Sequence, residues 1–254
     1  MALLGWLALV PLLLFGLVGT AVAIKLLLLA RRTKQLPEFS ISMSALLLGT
    51  LGLPLAVAGR SPANFNTPLG SVLFAAGMFF ACAGLQFTFI FCWNVFRRDA
   101  KWARALVVVS AFAFMAVWTS MMVFGIGGAD AAAAQAQIFP YAIMMIVLQI
   151  SGAVWSASES FIYWNMQRRR LRLGLASPVV VQRFMLWGVS NLATVFLGSV
   201  MIMSLLSGKM IMRDPLSLVV LGVIGTVLSV TWGISFFPPK AYVRWVESGH
   251  ETAA

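Results

Sequence analysis

Hydrophobic positions fall into seven long runs, at about 4–29, 40–59, 71–96, 104–125, 139–166, 184–207 and 216–237, and short segments between them carry nearly all the charge. Each run holds roughly 20 or more mostly apolar residues, the length an α-helix needs to cross a bilayer. The first and fifth are longer and fit by tilting. Continuous apolarity, as opposed to short alternating segments, predicts helices and not barrel strands. The expected architecture is therefore all-α: one seven-helix transmembrane domain spanning residues 1–254. The opening MALLGWLALVPLLLFGLVGTAVA ends on a small Ala21-Val22-Ala23. It lacks a basic leader and runs on through Lys25 to Ala30, so it reads as a retained first span and not as a secretory signal.

Composition agrees with that pattern. Of 254 residues 61% are hydrophobic and 10% charged, against about 25% charged in soluble domains. The net charge of +11 is spread between apolar runs, as topology signals are, and not gathered on a soluble face as in a nucleic-acid binder. Arg31, Arg32 and Lys34 follow the first run, with Lys25 just inside its end; Arg97, Arg98, Lys101 and Arg104 follow the third, Arg168, Arg169, Arg170, Arg172 and Arg183 the fifth, and Lys240 and Arg244 the seventh. The opposite side holds only Arg60, Lys209 and Arg213, a division of fifteen to three. By the positive-inside rule the N-terminus is outside and the C-terminus cytoplasmic.

Packing in lipid relies on small residues at helical spacing. Ser42, Ala45, Gly49, Gly52 and Ala56 offer such a face in the second span, Gly222, Gly225 and Ser229 in the seventh, and Asn191, Thr194 and Gly198 beside Trp187 in the sixth. Pro11 and Pro54 are expected to kink their helices. The loop GGADAAAAQAQ at 127–137 reads as a mobile small-residue connector. After Pro238-Pro239, AYVRWVE suits a segment lying at the cytoplasmic interface, with an unstructured tail as the alternative. Cys82 and Cys92 share one run, roughly 15 Å apart along a helix axis, so they are expected to be buried and unbridged.

Against this background one residue stands out. Glu159 is the only acidic residue in the middle of an apolar run. Gln149, Gly152, Ser156, Glu159, Tyr163 and Met166 follow a 3-4-3-4-3 spacing that lines them along one helix face. Arg168 lies nine residues on, roughly 13 Å, so an arginine at the membrane surface puts Glu159 near the middle of the hydrocarbon. With Gln86 in the third span and Asn191 in the sixth, it is a candidate to meet other polar groups in the interior. The functional reading makes Glu159, Ser156, Gln149, Tyr163, Gln86 and Asn191 a ligand- or proton-binding pocket; the structural reading makes Glu159 a neutral group that locks helices together. The cluster Arg168, Arg169, Arg170 and Arg172 reads as a topology anchor that contacts anionic lipid headgroups, or alternatively as a docking surface for a cytoplasmic partner.

Enzymatic chemistry is not expected, nor is any cofactor, metal or nucleic acid. The only histidine is His250. The seventh span has no lysine for a retinal Schiff base. No HExxH, paired intramembrane aspartates, Walker sequence or GxGxxG occurs.

The segments RRTKQLPE after the first span, RRRLRLGLASPVVVQRFMLWG into the sixth and FFPPKAYVRW after the seventh resemble a group of uncharacterised bacterial seven-helix membrane proteins. The layout is more loosely similar to the seven-helix sensor regions of bacterial histidine kinases. That resemblance implies a bacterial inner-membrane protein of sensor type that signals through a separate partner, since the kinase domain is missing after the seventh span. Two other functions fit the layout: a small solute transporter with a proton-binding Glu, and an accessory subunit of a membrane complex.

Overall fold

The computed structural model describes residues 2–61, 63–65, 67–124, 131–208 and 215–251. All regular structure among them is helical: α1 (Ala2–Thr33), α2 (Leu36–Ala45), a π-helical segment (Leu46–Gly52), α3 (Leu53–Gly59), α4 (Pro68–Phe96), α5 (Lys101–Phe124), α6 (Ala131–Arg172), α7 (Pro178–Leu206), α8 (Pro215–Phe236) and α9 (Lys240–Glu251). Seven helices are long and apolar enough to cross a membrane, with α2, the π segment and α3 forming one of them. This is the expected all-α multi-pass membrane fold. The chain divides into two compact units, residues 19–152 with 198–211, and residues 1–18, 153–197 and 212–254.

One expectation needs correction. Residues 131–137 are the first two turns of α6 and not connector. The run AAAAQAQ consists of the strongest helix formers. Residues 127–130 of that loop, and Lys209 and Arg213, lie outside the described residues.

In the unit holding α2 to α5, the second and third spans form a very close antiparallel hairpin. A Cβ added at Gly84 would lie 2.6 Å from Leu48 N, one at Gly52 2.7 Å from Ala81 N, and one at Gly59 2.5 Å from Phe74 N. One at Gly77 would collide with the Ala56 backbone nitrogen. Backbones this close are how small residues hold helices together in lipid. The face differs from the expected one: Gly49 has nothing within 4 Å of its would-be Cβ. The second-span seam instead runs through Ser44, Leu48, Gly52 and Ala56, every fourth residue. A π turn takes up one more residue than an α turn, so the segment Leu46–Gly52 shifts the seam off the 3-4-3-4 line and drops Gly49 from it. Pro54, just beyond, has no N–H to donate.

Polar contacts reinforce the same unit. Ser44 and Thr88 hydroxyls lie 3.0 Å apart, and Thr20 and Thr50 hydroxyls 2.8 Å apart tie α1 to the π segment. Trp118 Nε1 donates to the Ala75 carbonyl at 3.1 Å, joining α5 to α4. At the end of the hairpin, Thr67 caps α4 by accepting from Gly70 N at 2.9 Å, and the Arg60 guanidinium lies 4.2 Å over the Phe74 ring. Burial there holds the Arg60 pKa below its ordinary value. Cys82 and Cys92 are buried and unbridged, as expected.

Each unit pairs an arginine with a tryptophan near a span end. Arg104 sits 5.6 Å over Trp93 and Arg168 4.9 Å over Trp164. Such pairs combine the aromatic belt of a membrane interface with a cation–π contact. The tail is ordered as amphipathic α9, with Val246 buried and Trp245 exposed. Partial burial pushes the Tyr242 phenol up from its ordinary pKa.

Candidate functional site

The structure sorts the polar candidates by what already occupies them. Gln86 is committed to α5: its Nε2 donates to the Val107 carbonyl at 2.8 Å, and Ser110 Oγ donates to its Oε1 at 2.9 Å. Both ends of the amide are therefore used in joining α4 to α5, which makes Gln86 a helix staple. Gln86→Leu is expected to cost about 1 kcal/mol by removing both hydrogen bonds between α4 and α5, while Ser110 Oγ keeps the Val107 carbonyl as acceptor at 2.9 Å; the loss is measured as a lower thermal midpoint in detergent. An unchanged midpoint would show that the staple contributes nothing. Asn191 turns back on its own helix, Nδ2 donating to the Trp187 carbonyl at 2.8 Å. Gln149 is half-buried and belongs, with Gln86, to the unit of residues 19–152 and 198–211.

Ser156, Glu159 and Tyr163 belong to the other unit, formed by residues 1–18, 153–197 and 212–254. Here α6 buries Ala153, Ser156, Ala157, Glu159 and Ser160, while Val154 and Ile162 are exposed. This is close to the face expected from spacing, with Met166 falling at its exposed edge. Glu159 is only 4% exposed in the protein alone. Its carboxyl is therefore enclosed by protein and does not face lipid.

The antiparallel packing of α6 and α7 follows from glycine. A Cβ at Gly188 would sit 2.7 Å from the Phe161 ring, so the ring of α6 lies on bare backbone of α7. Tyr163 and Phe184 rings follow at 5.7 Å. From there an aromatic chain continues through Trp187 and Phe236 to Trp232 and Phe15, with neighbouring centroids about 6 Å apart. These edge and tilted contacts are the favoured geometries of aromatic pairs. They form much of the apolar packing of the unit.

Within that packing lie hydroxyls absent from the sequence-based set. Ser190 Oγ accepts from Trp232 Nε1 at 3.0 Å and joins α7 to α8. Ser160 is 0% and Ser235 1% exposed, and among the described residues the hydroxyl of neither has a hydrogen-bond partner. Serines in helices commonly donate to the carbonyl one turn back, as Ser229 does to Gly225 at 2.7 Å. Ser160 and Ser235 do not. The sequence signal for Ser160 was its place beside Glu159; Ser235 had none, because a serine next to Phe236-Phe237 reads as a helix end. Glu159, Ser160 and Ser235 are thus three buried polar side chains of the unit that also holds this aromatic chain.

The arginines of the candidate surface, Arg168, Arg169, Arg170 and Arg172, are all exposed at the end of α6. Leu173 and Leu175 beside them are exposed too, and Gly174 between them turns the chain at φ +70°. No group of three or more metal-ligating side chains occurs among the described residues. Comparison with protein-family models, curated proteins and solved structures gives no match to this chain.

Proposed function

We propose that this is a sensor- or receptor-like protein of the bacterial inner membrane, oriented with its N-terminus outside, that binds a small or hydrophobic ligand beside Glu159 and signals through a separate cytoplasmic partner. The observation that carries the reading is the burial of Glu159 at 4% exposure in the same unit as the unused Ser160 and Ser235 hydroxyls. A carboxyl inside a membrane protein is costly, and a functional role is its default explanation. The resemblance to bacterial seven-helix sensor regions points the same way. The exposed arginines and leucines of the α6–α7 turn supply a surface for anionic headgroups or for the partner.

A ligand shifts a two-state protein only through unequal affinity for the states. Glu159 and the buried Ser160 and Ser235 hydroxyls are the groups of this unit best able to supply a polar difference. The test is native mass spectrometry of protein released in mild detergent. A small molecule retained by the wild type and lost in Glu159→Gln is the expected result. Wild-type protein carrying only bulk lipid, or a ligand held equally by a folded Glu159→Gln protein, would overturn the reading.

A further inference from the structure

The unit of residues 1–18, 153–197 and 212–254 has one strongly basic end. Its internal contacts fix which residues gather there. Phe161 lies on Gly188 and Tyr163 on Phe184, so α6 and α7 run in opposite directions. Trp187 meets Phe236 and Ser190 meets Trp232, which sets α8 antiparallel to α7. The C-terminus of α6, the N-terminus of α7, the C-terminus of α8 and the start of α9 therefore share that end. Beside the four arginines of the α6–α7 turn stand Arg183, Lys240 and Arg244, all exposed. Against these seven cations, residues 160–197 and 236–251 carry only two acidic residues, Glu247 and Glu251.

We infer that the α6–α7 turn and α9 together form a docking surface for phospholipids whose headgroups carry net negative charge. Three observations carry it. The first is charge complementarity: an almost wholly cationic end fits a layer of anionic phosphates, and the planar guanidinium fork pairs with phosphate through two hydrogen bonds. The second is covalent. The turn joins two membrane spans, and α9 begins four residues after Phe236, the end of a third. Four residues of extended chain reach about 14 Å at most, so headgroups lie within reach of these cations without any further partner. The third is the company the cations keep. Leu173, Leu175, Phe237 and Trp245 are exposed among them, and basic residues interleaved with bare apolar tips match an interface that is charged outside and apolar beneath. This names the occupant of a turn that the proposed function leaves open; it shares that turn with the reading but needs no ligand beside Glu159.

The test uses nanodiscs of phosphatidylcholine with a minor share of phosphatidylglycerol of the same acyl chains. Lipids retained on the released protein are counted by native mass spectrometry. Phosphatidylglycerol is expected to be enriched at least about fivefold over its share of the disc, the effect of one basic residue at a charged surface. Replacing Arg168, Arg169, Arg170 and Arg172 by Gln should remove most of that enrichment. Lys240→Gln with Arg244→Gln serves if the first variant fails to fold, and should lower the enrichment less. Glu159→Gln should leave it unchanged, which separates this surface from the ligand proposed there. Insertion is read from Leu175→Cys carrying a nitrobenzoxadiazole; Cys82 and Cys92 are buried, so labelling falls on position 175. The label is expected to be quenched by lipids brominated near the headgroup and shielded from acrylamide. No enrichment on the wild type, or undiminished enrichment on a folded variant lacking the four arginines, would overturn the proposal. A label quenched by acrylamide and not by brominated lipid would do the same, and would leave the turn as a surface for a protein partner.

Discussion

Gly77→Val is expected to prevent stable assembly of the second and third spans. The new Cβ would collide with Ala56 N and come within 2.8 Å of the Gly52 carbonyl oxygen and of Ala56 Cα. All three are backbone atoms and cannot swing aside as a side-chain end would. Relief requires the helices to separate, which also opens the contacts at Gly52, Gly59 and Gly84. Overpacking of a well-packed core costs about 1–3 kcal/mol when side chains can adjust; here the cost is expected at about 3 kcal/mol or more, because the obstacle is backbone. The readout is a large fall in thermal midpoint and in the monodisperse fraction after detergent extraction. Gly49→Ala is the control: its Cβ meets nothing within 4 Å, so its stability should stay within about 1 kcal/mol of the wild type. If Gly77→Val matched the wild type, or Gly49→Ala fell as far, the seam would be misplaced.

That contrast shows where the sequence could be read and where it could not. Seven spans were legible because burial in lipid demands long, continuous apolar helices, and no other feature of this chain imitates them. The second-span packing face was legible only in part. Gly52 and Ala56 were expected on it and are there, but spacing analysis assumes an α-helical period. The π segment from Leu46 to Gly52 breaks that assumption, and its register is set by the hairpin partner. On α4 the glycines at 70, 77 and 84 repeat every seven residues and read the seam from the other side, a signal that spacing within one span does not bring out. Gln86 shows a different limit. Its polarity in an apolar run was conspicuous, yet its two hydrogen bonds depend on which helix lies beside it. Burial of the Glu159 face was legible because one carboxyl among apolar residues has few tolerable surroundings. Ser160 and Ser235 were not, since what sets them apart is the lack of a bond that most helical serines make.

Those two serines allow the proposed site to be separated from a structural role. A buried hydroxyl without a partner costs about 1–3 kcal/mol in water-soluble proteins, and about 0.6 kcal/mol is typical of interhelical hydrogen bonds in membranes. Replacing both by alanine in Ser160→Ala with Ser235→Ala removes that cost and leaves only small cavities. The double variant is therefore expected to be at least as stable as the wild type, with a midpoint raised by a few degrees. It should nonetheless retain at least about tenfold less of the small molecule seen by native mass spectrometry, if each hydroxyl contributes roughly 0.7 kcal/mol to holding it. Opposite shifts of stability and binding mark residues kept for function at the expense of the fold. A structural role makes a different forecast, in which both quantities fall together as a packing contact is lost. A double variant that loses stability while holding its ligand as the wild type does would remove Ser160 and Ser235 from the site and leave Glu159 to be explained by helix packing.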